Sequence, residues 1–157
     1  MKLISLFLTL LFNFSPLFAS DYILEFQANV KIIKEYKISD IEKFRSYELQ
    51  GTFTDKFGNY GKFEGIVTSD VKDGKLIKLE GTAKNTYSNK EIIYLKAYRK
   101  ESDFDAGVAN AKIIGASEKL KPLIGTECIQ SVRYFEDTIF GLQKCNIPEK
   151  LNNLLRE

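Results

Sequence analysis

The chain has no histidine and no tryptophan, and only two cysteines, one methionine and three prolines in 157 residues. Each scarcity removes a chemistry. Without histidine there is no Ser-His-Asp triad, no Cys-His dyad and no imidazole metal ligand. Two cysteines fall short of the four ligands of a structural zinc site, so no metal or other cofactor is expected. Catalysis would fall to carboxylates, Tyr, Lys or Arg. Paired acids occur, as in Asp103 and Asp105 or Glu64 and Glu80. Such pairs are common on solvated strand edges, and only geometry singles out a dyad, so no catalytic residue is assigned. An excess of one charge is also missing. The net charge is +2, and Lys and Glu alternate without forming blocks, so nucleic acid is not an expected partner.

Long apolar runs are absent except at the start. Met1-Lys2 is short and positive, Leu3 to Phe12 is almost continuously apolar, and Asn13 to Ala19 is mixed and ends Leu17-Phe18-Ala19. That order is the pattern of a secretory signal peptide, assigned to residues 1–20. The cut is expected at Ala19-Ser20 or Ser20-Asp21. The competing reading is a retained anchor. The apolar run is about ten residues, however, and a spanning helix takes roughly twenty. No Cys follows the run, so a lipoprotein cut is excluded. An exported protein, periplasmic or secreted, with no membrane span after cleavage is the expectation. About 137 residues then remain, enough for one domain with a real core. Two cysteines in an exported chain read as one disulfide, the alternative being two free thiols.

Periodicity in the 21–157 domain is mostly two. Tyr22, Leu24, Phe26, Ala28, Val30 and Ile32 share one face, and Glu25, Gln27, Asn29 and Lys31 the other. Ser39-Asp40-Ile41-Glu42 fits a capping box and a single helical turn. Alternation resumes over Tyr47 to Thr54. Turn signals at Gly58-Asn59, Asp73-Gly74 and Ser88-Asn89 separate strands near 60–70, 75–86 and 90–100, and strands near 106–114, 127–135 and 138–145 follow. Evenly spaced strands with turn residues between them predict an all-β, antiparallel sandwich or barrel. After Pro148, Leu151, Leu154 and Leu155 suit one face of a short C-terminal helix or tail.

Two hairpins can be placed in register. Around Asp73-Gly74, a two-residue loop pairs Val67 with Glu80 and Phe63 with Lys84, mixing apolar and charged residues on one face. A three-residue loop over Lys72-Asp73-Gly74 pairs Val67 with Leu79, Gly65 with Gly81 and Phe63 with Ala83. Face matching favours the second, with Gly74 left-handed. A two-residue loop at Glu136-Asp137 sets Phe135 against Thr138 and brings Cys128 opposite Cys145. The pair falls at a non-hydrogen-bonded position, where Cα atoms approach to roughly 4.5 Å. A disulfide there closes a loop of about 18 residues and contributes about 3 kcal/mol in the chain-entropy treatment.

Strand positions are rich in aromatics, and small residues such as Gly65, Gly81, Ala97 and Ala109 lie among them. Small inward residues make room for bulky neighbours or for a ligand. The candidate ligand contacts are Phe63, Tyr94, Tyr98, Arg99 and Tyr134, against the alternative of plain core packing. Arg99 shares a face with Ile93, Leu95 and Ala97, where a guanidinium needs an acid partner or an anionic ligand. Because Lys100 and Glu101 follow it, the favoured reading places Arg99 at the strand end, in water.

Four runs carry a resemblance: Thr54-Asp55-Lys56-Phe57-Gly58-Asn59-Tyr60-Gly61, Asp105-Ala106-Gly107-Val108, Ile113-Ile114-Gly115-Ala116-Ser117-Glu118-Lys119-Leu120, and Gly125-Thr126-Glu127-Cys128. Together they resemble small exported bacterial proteins of the allene oxide cyclase and dirigent barrel type. The resemblance implies an up-and-down antiparallel barrel of about eight strands. It transfers no ligand-contacting residue, and a shared barrel does not fix a function. Three functions stay open: binding of a small apolar molecule without chemistry, a protein-binding or inhibitor module of the cell envelope, and an isomerase or cyclase confining a reactive substrate. N-terminal sequencing of the exported protein is expected to begin at Ser20 or Asp21; a chain still starting at Met1 would make the leader a retained anchor.

Overall fold

The computed structural model describes residues 19–156. The expected leader therefore lies outside the described residues, apart from Ala19 and Ser20, which open the first strand. Eight strands follow: β1 (Ala19–Lys37), β2 (Glu42–Asp55), β3 (Tyr60–Lys72), β4 (Lys75–Tyr87), β5 (Ile92–Asp103), β6 (Ala106–Ala116), β7 (Glu127–Phe135) and β8 (Thr138–Pro148). Each pairs antiparallel with the next, and β8 returns to β1, so the sheet closes into a barrel in sequence order. A short helix α1 (Glu149–Asn152) and a 3-10 turn (Asn153–Leu155) end the chain. Of the sandwich or barrel that the alternation predicts, this is the barrel, up-and-down and eight-stranded as the resemblance implies, with the short helix expected after Pro148.

Side chains that alternate in sequence alternate across the wall. Tyr22, Leu24, Phe26 and Ala28 are buried inside, while Glu25, Gln27 and Asn29 are exposed. Ile32, expected on the inward face, is exposed. The reason is that β1 outruns its neighbour: pairing with β8 stops at Asn29 and Thr138, and a bulge follows between Ile32 and Lys34. The last residues of β1 and the start of β2 thus extend as a hairpin beyond β8. Ser39 to Glu42 forms no helical turn. It is the tip of that hairpin, with the Ile38 and Ser39 amides donating to the Glu42 carbonyl. Strand continuation on both sides outweighs the capping signal.

The β3–β4 turn is also shorter than expected. Lys72 pairs with Lys75 across a two-residue Asp73-Gly74 turn in which both residues have positive φ, 51° and 73°. Val67 then faces Gly81, and Phe63 faces Asn85. A bulge at Ile77 restores face matching, since Asp70 pairs with Lys78 and Val71 with Leu76. A register argument that weighs loop lengths alone omits this route. The bulge leaves Ile77 exposed while Leu76 and Leu79 both turn inward.

The two barrel ends differ. One is plugged. A 3-10 segment (Glu118–Leu123), not foreseen from the sequence, buries Leu120 and Leu123 there, and Leu155 packs beside them from the C-terminus. The opposite end carries the β1–β2, β3–β4, β5–β6 and β7–β8 connections. Midway along the wall, the Phe26 ring lies over Gly141 of the facing strand and stacks on Phe63 at 4.5 Å between centroids. A Cβ at Gly141 would come within 2.0 Å of that ring, so only glycine lets it cross the β8 backbone.

Cys128 and Cys145 face one another in the β7–β8 ladder and form a disulfide, with Cα atoms 4.1 Å apart. The double substitution Cys128→Ala/Cys145→Ala is expected to lower unfolding free energy by about 3 kcal/mol in urea titrations. A loss below about 1 kcal/mol would mean that the reduced chain is already held together at this hairpin.

Candidate functional site

Eight strands enclose an interior that side chains nearly fill. The inward face also carries Gly65, Gly81, Ala83, Ala97 and Ala109 at mid-height, where larger residues would meet. They leave a cavity of about 50 Å³, walled by Phe26, Phe63, Leu95, Val132 and Ile139 and bordered by Arg99, Gln130 and Tyr134. Its lining includes no carboxylate and no thiol. Two broader hollows, of about 690 and 900 Å³, lie on the outer wall and open to solvent.

Arg99 is the most unusual residue inside. It is 2% exposed, contrary to the strand-end position in water favoured from sequence. Its alternation with Ile93, Leu95 and Ala97 decides its side, and the local ladder decides its burial. Pairing between β5 and β6 stops at Tyr98 and Asn110, although β5 stays bonded to β4 as far as Asp103 and β6 to β7 from Ala106. The guanidinium fills this split seam. Its Nε donates to Ser102 Oγ at 2.7 Å, and Nη2 donates to the Ala106 carbonyl at 2.7 Å and to the carbonyls of Asp103 and Phe104. Gly107 permits this, since a Cβ there would lie 2.5 Å from Nε. The backbone bends around the side chain, with Glu101 at a φ of 35°. Nη1 is buried with no hydrogen-bond partner among the described residues. Burial pulls the Arg99 pKa below the usual arginine value, and the neighbouring Tyr134, Tyr47, Asp103 and Asp105 oppose that shift.

Around this cation the interior is polar but neutral. The Tyr47 and Tyr134 hydroxyls share a hydrogen bond of 3.2 Å. Gln130 donates to Gln143 Oε1 at 2.7 Å. Above them the Phe104 ring stacks on Tyr134 at 5.5 Å, and the Arg45 guanidinium covers Phe104 at 5.3 Å, roofing this end. The plugged end has its own network. Tyr22 donates to Asp55 Oδ2 at 2.8 Å and shares a 2.9 Å bond with Tyr87, while Asn59 links Asp55 to the Leu155 carbonyl. That network ties the β2–β3 loop to the C-terminus and does not border the cavity.

Of the five candidate contacts, Phe63, Arg99 and Tyr134 meet at the cavity. Tyr94 and Tyr98 do not. Both are outward residues of β5: Tyr94 is 39% exposed, and Tyr98 lies beside Lys100 on the outer wall. The alternation that turns Arg99 inward turns its even-numbered neighbours out, so the strand's own period gave the signal. Tyr47 and Gln130 were missed. Each lies in step with an inward residue, Tyr47 with Leu49 and Gln130 with Cys128, so the same rule would have found them. Compared with family models, curated proteins and solved structures, the chain matches none of them.

The arrangement can donate hydrogen bonds to a small guest from Arg99, Gln130 and Tyr134. The phenols of Tyr22, Tyr47, Tyr87 and Tyr134 are all pushed above the ordinary tyrosine value, chiefly by burial. The unfolded chain releases these protons near pH 10 while the native chain keeps them, so above that pH the native state binds more protons. Stability is therefore complete below about pH 10 and falls as pH rises further, by about 1.4 kcal/mol per pH unit for each such tyrosine. Urea unfolding across roughly pH 8 to 11 tests this, with Tyr47→Phe expected to lessen the slope. A flat profile would mean that the phenols ionise freely in the native barrel.

Proposed function

We propose that the protein is an exported, non-catalytic barrel that holds a small, largely apolar molecule in its interior. The observation that carries this reading is the cavity of about 50 Å³, kept open by small residues and walled by apolar side chains. Ligand pockets for drug-sized molecules run to roughly 300–1,000 Å³, so the guest is small. The missing carboxylate, thiol and imidazole favour holding over reacting. The disulfide is compatible with an oxidising, exported compartment. The outward faces of the strands are strewn with charge, as at Lys62, Glu64, Lys84, Lys96, Lys112 and Lys144. A lipid-facing barrel needs an apolar outer band, so an aqueous compartment is the better fit. The resemblance to the allene oxide cyclase and dirigent barrels implies such an architecture but adds no residue to the argument.

A second reading, a protein-binding module of the envelope, is favoured by the projecting β1–β2 hairpin. It exposes Ile32, Ile33, Tyr36, Ile38 and Ile41 together, and large exposed apolar patches mark interaction surfaces. Native mass spectrometry of the protein from its own exported compartment separates the two. A small reproducible added mass, lost in Ala109→Val, which fills the cavity, is the expected result. A bare protein mass together with a co-purifying protein would overturn the ligand reading in favour of the hairpin.

A further inference from the structure

We infer that the interior molecule is a short-chain carboxylic acid, bound as its carboxylate to Arg99. The inference rests on the interior-ligand reading above and names the class of the guest. Its first support is a cation to which no anion is bonded. Every group that bonds the Arg99 guanidinium is neutral: a serine hydroxyl and the carbonyls of Asp103, Phe104 and Ala106. The carboxylates of Asp103 and Asp105 belong to exposed residues and make no bond to it. A charge removed from water is costly unless it is paired and hydrogen-bonded. Three of the partners are backbone groups that offer dipoles only, so no full negative charge bonds the guanidinium, and the Asp103 and Asp105 carboxylates act on it only without contact.

The second support is the donor left over. Nη1 is buried and unpaired among the described residues, and Arg99 is the cavity's one charged residue. An unmade bond from a charged donor is among the most unfavourable features a core can keep. A carboxylate oxygen is the acceptor that arginine recognises best. Tyr134 also borders the cavity, its hydroxyl shared with that of Tyr47 at 3.2 Å.

The third support is size and polarity together. A cavity of about 50 Å³ holds three to five waters at roughly 10–15 Å³ each. That corresponds to a guest of about four or five heavy atoms, the size of acetate or propionate. The remaining wall, from Phe26, Phe63, Leu95 and Ile139, suits a methyl or ethyl tail and gives nothing to the shell of a hydrated inorganic anion. At the best efficiency per atom known for tiny ligands, acetate is bound no tighter than about 40 μM and propionate no tighter than about 3 μM.

The test is a titration of the intact, disulfide-bonded protein with propionate, followed by the Arg99 Nε–H signal and the amides of residues 102–107 in proton–nitrogen NMR. Propionamide and chloride are the controls. Propionate is expected to shift those signals saturably, while both controls leave them unmoved. Arg99→Met is expected to abolish the response. Because that change also frees the 102–106 segment, Ala109→Val provides the second arm. It leaves every Arg99 bond in place, fills the cavity, and is expected to weaken propionate at least tenfold. Undiminished binding to Ala109→Val would overturn the inference. An equal response to propionamide would overturn the acid assignment while leaving the interior reading standing, and so would no response in a protein that still carries a small native adduct. An equal response to chloride would make Arg99 a site for simple anions. No response and no adduct would remove both readings.

Discussion

Closure of the sheet between β1 and β8 is the constraint on which everything else depends. The ladder runs from Ala19 with Pro148 to Asn29 with Thr138 and leaves the barrel wall without an edge over that height. Closure at eight strands sets the interior width, and that width must then be filled by side chains of matched size. Phe26 reaches across Gly141 because the two face one another at this joint. The disulfide lies on the β7–β8 ladder immediately beside the joint, so it fixes the strand that β1 must meet.

What closure cannot do is end the strands together. β1 outruns β8, and its surplus becomes the exposed hairpin. β5 and β6 part before their common turn, and the gap between them is filled by a side chain instead of a ladder. Arg99 supplies hydrogen bonds there in place of a sheet ladder, to the carbonyls of Asp103, Phe104 and Ala106. A guanidinium suits this role because its planar fork can reach several acceptors at once. The geometry that satisfies one edge of the fork leaves Nη1 over, and the charge comes with it. The residue that repairs the seam is thus also the charged residue that borders the cavity.

The two surfaces with functional promise differ in physical kind. The interior offers enclosure, little room and a strong electrostatic anchor. The hairpin offers area, apolar side chains and an edge of β1 that β8 does not cover. Enclosure rewards a small, well-matched guest, whereas an open edge rewards another polypeptide.

The sequence by itself determined the number and order of the strands, the inward face of most of them and the partner of Cys128. Those features follow from period-two alternation and from a two-residue turn, both of which act over neighbouring residues. It also held the side of Arg99, Tyr47 and Gln130, for the same reason. Tertiary structure alone decided what happened where alternation breaks. The bulges after Ile32 and at Ile77 shift register to satisfy a partner strand distant in sequence. The 3-10 plug forms because an open barrel end needs Leu120 and Leu123. Arg99 is buried because β6 leaves β5 early, which no window around residue 99 records. The cavity is likewise a sum over several strands: the small residues stand out in the sequence one by one, and only closure brings them to the same height.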